Sequence, residues 1–374
     1  MRSSPTVAAI VLAGLLQPAG TRDGRDALVA ADVRDFVAKL VASDEFSGVV
    51  LLPRNGQPLV RHAYGLADRA TARPNTPQTA FMLSSVSKMF TAVQIARLVE
   101  RKRLSFDSTL GSLLPEYPSA DAREHVTVHH LLTMSSGIVD LFKVPEFWAN
   151  AGTIKSSTDF WKYFAEAPLQ FRPGSEWASC NSNFLLLGAI VERLTHRAFT
   201  SVVEEELFGP LALTNTRYRV DPARKPALGY TRTPSASGGE GSVGWHPAWG
   251  EPKPGEEFLL ANPMGGGYST VDDLARFIGA VVNNQLLRPE TTIRMLTGYI
   301  DADYGGRDGY GFETRLVNGV KTVGHRGSLA GSENIVEFYP ELGYLLVVLG
   351  NTDGQGADAI AAHVRGLVTS PSRP

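Results

Sequence analysis

The sequence has few cysteines, little net charge and no long hydrophobic run, and each of these shortages excludes a class of protein. Its single cysteine, Cys180, can form no disulfide within this chain and is too few for a cysteine-based zinc cluster. The 36 basic and 38 acidic residues leave a formal net charge of -2, and no basic run stands out, so we expect no nucleic-acid partner. With 43% hydrophobic and 20% charged residues, the composition is that of an ordinary globular protein.

The apolar run at residues 7–16 (VAAIVLAGLL) is too short to span a bilayer, and no other stretch comes close, so we expect no stable membrane span. Arg2 precedes this run and small residues follow it, which is the layout of a secretory signal peptide. Residues 1–20 are therefore interpreted as a signal peptide, or alternatively as a disordered or helical extension of a cytoplasmic enzyme. The first interpretation predicts a periplasmic or secreted protein.

Several enzyme signatures are also missing. The chain contains no G-x-S-x-G string, which marks the nucleophile of α/β-hydrolases, and neither a Walker loop nor a dinucleotide fingerprint. His125 and His129 are four residues apart, but no carboxylate partner is evident, and we interpret them as structural. We therefore expect no metal and no cofactor.

Strand patterns lie at both ends of the chain, and helical patterns fill its middle. The dipeptides Asn55-Gly56 and Asn318-Gly319 are hairpin signals, each flanked by strand-like runs. Further strands are predicted at residues 333–339 and 344–349, and helices at residues 30–43 and 357–368. The pattern predicts an α+β fold, an α/β sandwich in which one antiparallel sheet from both chain ends is flanked by the terminal helices.

The same pattern predicts two lobes. Residues 26–84 and 290–369 would form the sheet lobe, and residues 85–289 an inserted, mostly helical lobe with the site between the two. Residues 231–257 are rich in glycine, proline and serine and are predicted to form a long loop. Two tryptophans in it favour a loop that covers an apolar surface, and a mobile surface excursion is the alternative.

The string S-V-S-K that begins at Ser85 carries the main chemical signal. It opens a helix predicted at residues 85–101, where residues three apart share a face, so the Ser85 hydroxyl would lie beside the Lys88 ammonium. A serine needs a base to remove its proton, and a desolvated lysine can act as one. The alternative is a helix-capping serine followed by a surface lysine. Ser84 and Ser87 are competing hydroxyls, and the spacing to the lysine selects Ser85.

The segments around this string resemble the S-x-x-K serine hydrolases. This superfamily includes class C β-lactamases, penicillin-binding proteins with D-alanyl-D-alanine carboxypeptidase activity, and related esterases and D-amino-acid peptidases. The resemblance extends over residues 46–351, and its motifs occur in the family's order, which is far more specific than any single motif. The matching segments are residues 81–103, 104–115, 126–137, 173–192, 265–277 and 324–328. The resemblance implies a β-lactamase/transpeptidase-like fold and an acyl-enzyme mechanism.

The resemblance also implies roles for individual residues. Ser85 would be the acylated nucleophile and Lys88 its proton-transfer partner. Asn181, in the second motif, would bind a polar group on the acyl side of the substrate. Ser328 would offer a backbone N–H that forms an oxyanion hole together with the N–H of Ser85.

His325 and Gly327 stand where the family has K-T-G or H-x-G, on the strand at the edge of the site. The histidine form resembles the esterase and peptidase branches. A histidine in place of the lysine removes a fixed cation that would hold a substrate carboxylate, which favours esters over β-lactams, although Arg326 could compensate.

One position departs from the family pattern. The second motif is usually Tyr-x-Asn, and here it reads Ser179-Cys180-Asn181. The family's tyrosine carries a proton beside the lysine, and the shorter serine hydroxyl, which does not ionise near neutral pH, cannot simply inherit that role. A water held by Ser179 is an alternative bridge. Three interpretations stay open: a base formed by Lys88 alone, a weakened or specialised enzyme, or a deliberate substitution of tyrosine by serine.

The sequence therefore predicts a serine hydrolase that acts on small esters, lactones, amides or D-peptides. A β-lactamase or D-alanyl-D-alanine carboxypeptidase is the second hypothesis. The third is a vestigial or engineered binding protein of low activity, which the missing tyrosine favours. The substrate and the oligomeric state are not predicted.

Overall fold

The computed structural model describes residues 24–150, 153–154, 156–219, 224–232, 246–248 and 261–370. The predicted signal peptide at residues 1–20 lies outside these ranges, as does most of the loop predicted at residues 231–257, including both of its tryptophans. Among the helices described, none combines the length and hydrophobicity of a bilayer-spanning segment.

The centre of the molecule is an eight-stranded antiparallel sheet built from both ends of the chain. Its strands are β1 (Gly48–Arg54), β2 (Gln57–Tyr64), β3 (Ile300–Ala302), β4 (Gly306–Asp308), β5 (Glu313–Val317), β6 (Val320–Leu329), β7 (Ser332–Tyr339) and β8 (Tyr344–Gly350). Their order across the sheet is β3-β4-β5-β6-β7-β8-β1-β2, so the first hairpin completes a sheet begun by the last strands of the chain. The predicted fold is confirmed.

The helices and the short strands surround this sheet. The α-helices are α1 (Gly24–Ala42), α2 (Lys88–Glu100), α3 (Leu110–Leu113), α4 (Ala120–His125), α5 (Val128–Leu132), α6 (Pro145–Asn150), α7 (Asn181–Thr195), α8 (Phe199–Val203), α9 (Val271–Val282), α10 (Pro289–Met295) and α11 (Gly356–Thr369). Turns of 3₁₀-helix cover Ser84–Ser87, Leu141–Lys143 and Ser157–Tyr163, and a π-helical turn covers Glu204–Phe208. Two-stranded pairs join Leu66–Asp68 to Arg73–Pro74, Phe81–Met82 to Tyr268–Ser269, Tyr230–Thr231 to His246–Pro247, and Ala261–Asn262 to Gly265–Gly266.

Both hairpins form at the predicted dipeptides. Asn55 and Gly56 have φ angles of 48° and 78°, and Asn318 and Gly319 have φ angles of 50° and 81°. Asparagine and glycine tolerate this left-handed conformation, which a two-residue turn between twisted strands requires. The turns place β2 beside β1 and β6 beside β5.

Two apolar cores cover the two faces of the sheet. On one face α1 and α11 pack through side chains such as Val33 and Ile360. On the other face β7 and β8 meet the helical part of the chain, and α2 and α7 are buried almost throughout. Because both faces are covered, every residue of β7 is buried, although a strand with one solvated face would alternate.

Three details differ from expectation. Strands β3 and β4 were not anticipated, because each is only three residues long and lacks a strand-like run. The α-helix that follows Ser85 begins at Lys88, after a 3₁₀ turn. His246–Pro247, inside the predicted loop, pairs with Tyr230–Thr231 as a short strand.

Candidate active site

Ser85 lies in the 3₁₀ turn between the short strand Phe81–Met82 and α2. Ser84 adopts a left-handed conformation, with φ of 50°, and its hydroxyl donates to Oγ of Ser332 on β7 at 3.0 Å. Ser87 donates to the Ser84 carbonyl at 3.1 Å. Both competing hydroxyls are thus buried and hydrogen-bonded to other groups, and Ser85 is the hydroxyl that faces a lysine.

Lys88 is 2% exposed and its ammonium is surrounded by acceptors. Nζ donates to Oγ of Ser85 at 2.8 Å, to Oδ1 of Asn181 at 2.9 Å, and to the carbonyl of Met264. The spacing of three residues, the first turn of α2 and the start of α7 together produce this geometry. It is the contact that a general base needs with its nucleophile.

Burial lowers the pKa of Lys88 to about 8, because an ammonium loses solvation in the interior. Nearby negative charges, of which Asp140 is the strongest, act in the opposite direction. Lys88 can therefore lose its proton at a mildly alkaline pH and accept another from Ser85.

Asp140 holds the start of α7 in place, although the sequence pattern did not single it out. Its carboxylate accepts from the backbone N–H of Asn181 at 3.0 Å and from its side-chain amide at 3.5 Å. Burial raises the pKa of Asp140. The Asn181 side chain is thus fixed between Asp140 on one side and Lys88 on the other.

Gly327 brings strand β6 against the Ser85 turn. A Cβ at this position would lie 2.4 Å from the carbonyl oxygen of Leu83 and 3.1 Å from the backbone nitrogen of Ser85. Such distances exclude any side chain, so glycine permits the close approach of β6 to the turn. The exposed Ser328 follows on the same strand.

His325 is largely buried, and its Nδ1 lies 3.8 Å from Oε1 of Glu313. Burial lowers the pKa of His325, and the positive charge of Lys88 acts in the same direction, while Glu313 opposes it. The imidazole is therefore uncharged at neutral pH and is no substitute for a lysine ammonium.

One cleft of about 420 Å³ is lined by the seven residues that the sequence analysis assigns to the active site. These residues are Ser85, Lys88, Ser179, Asn181, His325, Gly327 and Ser328. Ser179 is exposed to the cleft, and its hydroxyl has no hydrogen-bond partner among the described residues. The position of the family's tyrosine is thus an open place in the cleft.

A second group of side chains lines the same cleft and was missed by sequence reasoning. Asp308 accepts from the phenol of Tyr304 at 2.7 Å through Oδ1 and from the indole N–H of Trp177 through Oδ2. We call these three residues the Tyr304 wall, and Ser85, Lys88, Asn181 and Gly327 the Ser85 wall. Residues 177, 304 and 308 share no motif, and only the fold brings them together.

The two histidines considered as metal ligands have other partners. His125 contacts Asp121, and Nδ1 of His129 lies 2.9 Å from the Tyr310 hydroxyl. Within the described residues, no group of three or more histidine, cysteine or acidic side chains is arranged to hold a metal ion.

The residues that form this fold match a known family. The family model described as Beta-lactamase matches residues 33–369, and the chain belongs to this family. The match places it among the hydrolases of the β-lactamase type.

Three similar proteins illustrate the range of the family. Esterase EstB of Burkholderia gladioli is 31% identical over 303 residues, which are 71% of this chain and 71% of that protein. The D-aminopeptidase of Brucella ovis is 29% identical over 184 residues, which are 47% of this chain and 33% of that protein. The crystal structure of a penicillin-binding protein from Bacillus halodurans is 28% identical, with a TM-score of 0.74, and the match covers 88% of this chain and 99% of that one.

Proposed function

We propose that this protein is a serine hydrolase that forms an acyl-enzyme on Ser85, with Lys88 as the base. The observation that carries the proposal is the 2.8 Å contact between Nζ of Lys88 and Oγ of Ser85, made by a lysine whose burial brings its pKa to about 8. A lysine placed as a surface residue would have neither the contact nor the shift.

The reaction would proceed in two halves. Neutral Lys88 takes the Ser85 proton as Oγ attacks the substrate carbonyl, and the backbone N–H groups of Ser85 and Ser328 would stabilise the oxyanion. The alcohol or amine leaves with a proton, water then attacks the acyl-enzyme and gives up a proton, and Lys88 returns its proton to Ser85 as the acid is released. Asn181, fixed by Asp140, would orient the acyl side of the substrate.

We propose small esters, lactones, amides or D-peptides as substrates, with esters preferred to β-lactams. The uncharged His325 supports this preference, because it stands at the position of the lysine that would hold a β-lactam carboxylate. The names of an esterase and a D-aminopeptidase among the similar proteins are consistent with it. Export from the cytoplasm is part of the proposal and rests on the sequence of residues 1–20 alone.

A β-lactamase or carboxypeptidase activity is the second candidate, favoured by the presence of Arg326 in the cleft as a possible carboxylate partner. The kcat/KM for a short-chain p-nitrophenyl ester is to be compared with that for nitrocefin. A ratio strongly in favour of nitrocefin would reverse the order of the two candidates. Absence of turnover on both would instead support a vestigial binding protein.

Ser85 itself is tested by incubation with a fluorophosphonate, followed by intact-protein mass spectrometry. We expect one adduct, located on Ser85 by peptide mapping and abolished in Ser85→Ala. Ser87→Ala is the matched control, because Ser87 lies in the same turn and its hydroxyl bonds only the Ser84 carbonyl. An adduct on Ser84 or Ser87 in place of Ser85 would refute the assignment.

A further inference from the structure

Asp308 is a buried carboxyl group in the cleft whose hydrogen-bond partners are neutral. Tyr304 donates its phenol proton to Oδ1 at 2.7 Å, and Trp177 donates to Oδ2. Burial raises the pKa of Asp308 to about 7, because no cation among the described residues bonds the carboxylate to offset its lost solvation. A carboxyl group in this state can hold or release a proton near neutral pH.

The Tyr304 wall is tied to the position where the family's phenol is missing. Trp177 and Ser179 are two residues apart on the segment that enters α7, and both line the cleft together with Ser85 and Lys88. Trp177 also bonds Asp308, and the carboxyl group and its phenol line the same cleft as Ser179. Asp308 and Lys88 line the same cleft, and the negative charge of Asp308 raises the pKa of Lys88.

We propose that Tyr304 and Asp308 form a proton relay that serves the leaving group and the hydrolytic water, in the place of the phenol that Ser179 does not supply. This inference rests on the proposed acylation of Ser85.

The protons balance over one turnover. In acylation the Ser85 proton goes to Lys88, while Tyr304 gives its proton to the departing alkoxide or amine and takes one from protonated Asp308. The alcohol or amine leaves, and Asp308 is then a carboxylate. In deacylation the attacking water gives a proton to Tyr304, which passes its own to Asp308, and Lys88 returns its proton to Ser85 as the acyl bond breaks.

The surroundings keep Tyr304 as a neutral phenol. Its pKa is raised by burial and by the adjacent carboxylates, so it can pass a proton on without ionising. The guanidiniums of Arg315 and Arg326 lie 4.9 and 5.4 Å from the centre of its ring and hold it in place.

The charged or titratable groups that face the relay are Lys88 on α2, Asp303 in the β3–β4 turn, Glu313 and Arg315 on β5, and Arg326 on β6.

The relay predicts the shape of the pH profile. Acylation requires Lys88 without its proton, a state gained as the pH rises through about 8, and Asp308 with its proton, a state lost as the pH rises through about 7. Turnover of an alkyl ester should therefore peak between these two values, at about pH 7.5. Without Tyr304 the rate should lose its descending limb and level off above the pKa of Lys88.

Tyr304→Phe is the decisive variant, because it keeps the ring and removes only the hydroxyl. Tyr344→Phe is its matched control: Tyr344 donates to Asp26 at 2.9 Å and has a guanidinium 5.0 Å from its ring, but its place is in the sheet, outside the cleft. We expect Tyr304→Phe to lower kcat on an alkyl ester by about 10²-fold with little change in KM. Fluorophosphonate labelling of Ser85 should keep its rate, since fluoride leaves without an acid.

The double variant Tyr304→Phe/Ser179→Tyr should have a kcat at least about tenfold above that of Tyr304→Phe, because the new phenol would occupy the open place at residue 179. The inference is overturned if Tyr304→Phe keeps kcat within about threefold of the unmodified enzyme, if labelling falls in parallel with turnover, or if the second substitution restores nothing. If the unmodified enzyme is not labelled at Ser85, the proposed function itself has failed, and that outcome is distinct from these three.

Discussion

The two walls of the cleft are built on different principles. In the Ser85 wall, Lys88 has three acceptors, Asn181 lies between Lys88 and Asp140, and Gly327 leaves no room for a methyl group. The 3₁₀ turn that holds Ser85 and the regular elements α2, α7 and β6 supply this wall. In the Tyr304 wall, the side chains come from a turn, the end of a three-residue strand and the segment before α7.

This difference indicates a division of labour. The packed wall fixes a nucleophile and a base to within a hydrogen bond, as a reaction geometry requires. The residues of the Tyr304 wall can vary between relatives without disturbing that geometry. Substrate choice and proton supply can therefore diverge at this wall. Four substitutions test the contrast, from the largest expected effect to the smallest.

Lys88→Met should lower the rate of Ser85 labelling by at least about 10³-fold, near the upper part of the range for a positioned base. Methionine retains an apolar chain of similar length, so the fold should persist. Lys321→Met is the control, since Lys321 also donates to a buried carbonyl, that of Leu296, at 2.8 Å, and lies outside the cleft. Near-normal labelling in Lys88→Met would remove the lysine from the mechanism.

Gly327→Ala should lower kcat/KM by about 10²-fold, because a displacement of about 1 Å at the nucleophile is enough for such a loss. The new methyl group would meet the Leu83 carbonyl at 2.4 Å and push β6 away from the turn. Overpacking of this kind also costs about 1–3 kcal/mol of stability, measurable by denaturant unfolding.

The control is Gly366→Ala on α11, where a methyl group meets nothing within 4 Å. This substitution should instead stabilise the protein by up to about 1 kcal/mol. Equal effects of the two substitutions would contradict the close approach at Gly327.

Asp140→Asn should shift the pH dependence of labelling and lower its maximum rate by about tenfold through the loosened Asn181. The Asp140 charge raises the pKa of Lys88, so its removal lowers that pKa further, and the rise in labelling should occur below about pH 8. The exposed Asp121 provides the control Asp121→Asn, with no expected shift. A shift towards higher pH would contradict the assigned electrostatics.

Ser179→Ala should change kcat by less than about threefold, a change small beside the effect of removing a positioned acid or base. Its hydroxyl is exposed and has no hydrogen-bond partner among the described residues. Steady-state kinetics on a p-nitrophenyl ester measure the change. A loss of tenfold or more would mean that the serine hydroxyl takes part in catalysis and that the open place is already used.

Local chemistry made much of the architecture predictable. Asn55-Gly56 and Asn318-Gly319 predicted their hairpins because few other dipeptides tolerate the left-handed turn. Strands β3 and β4 escaped prediction, since three residues are too few to show a period. The 3₁₀ turn at Ser84–Ser87 also escaped, because the bond from Ser84 to Ser332 joins positions far apart in the chain.

The sequence by itself determined the antiparallel sheet from both chain ends, the pairing of Ser85 with Lys88 at a helical spacing, and the absence of a tyrosine at residue 179. These depend on residues close together in the chain or on motifs that a family preserves in order. Only the tertiary structure decided that Lys88 loses its solvation, that Asp140 holds Asn181, and that Tyr304, Asp308 and Trp177 meet in the cleft that Ser179 also lines. Desolvation and long-range contact are properties of the packed chain, and no local pattern of residues encodes them.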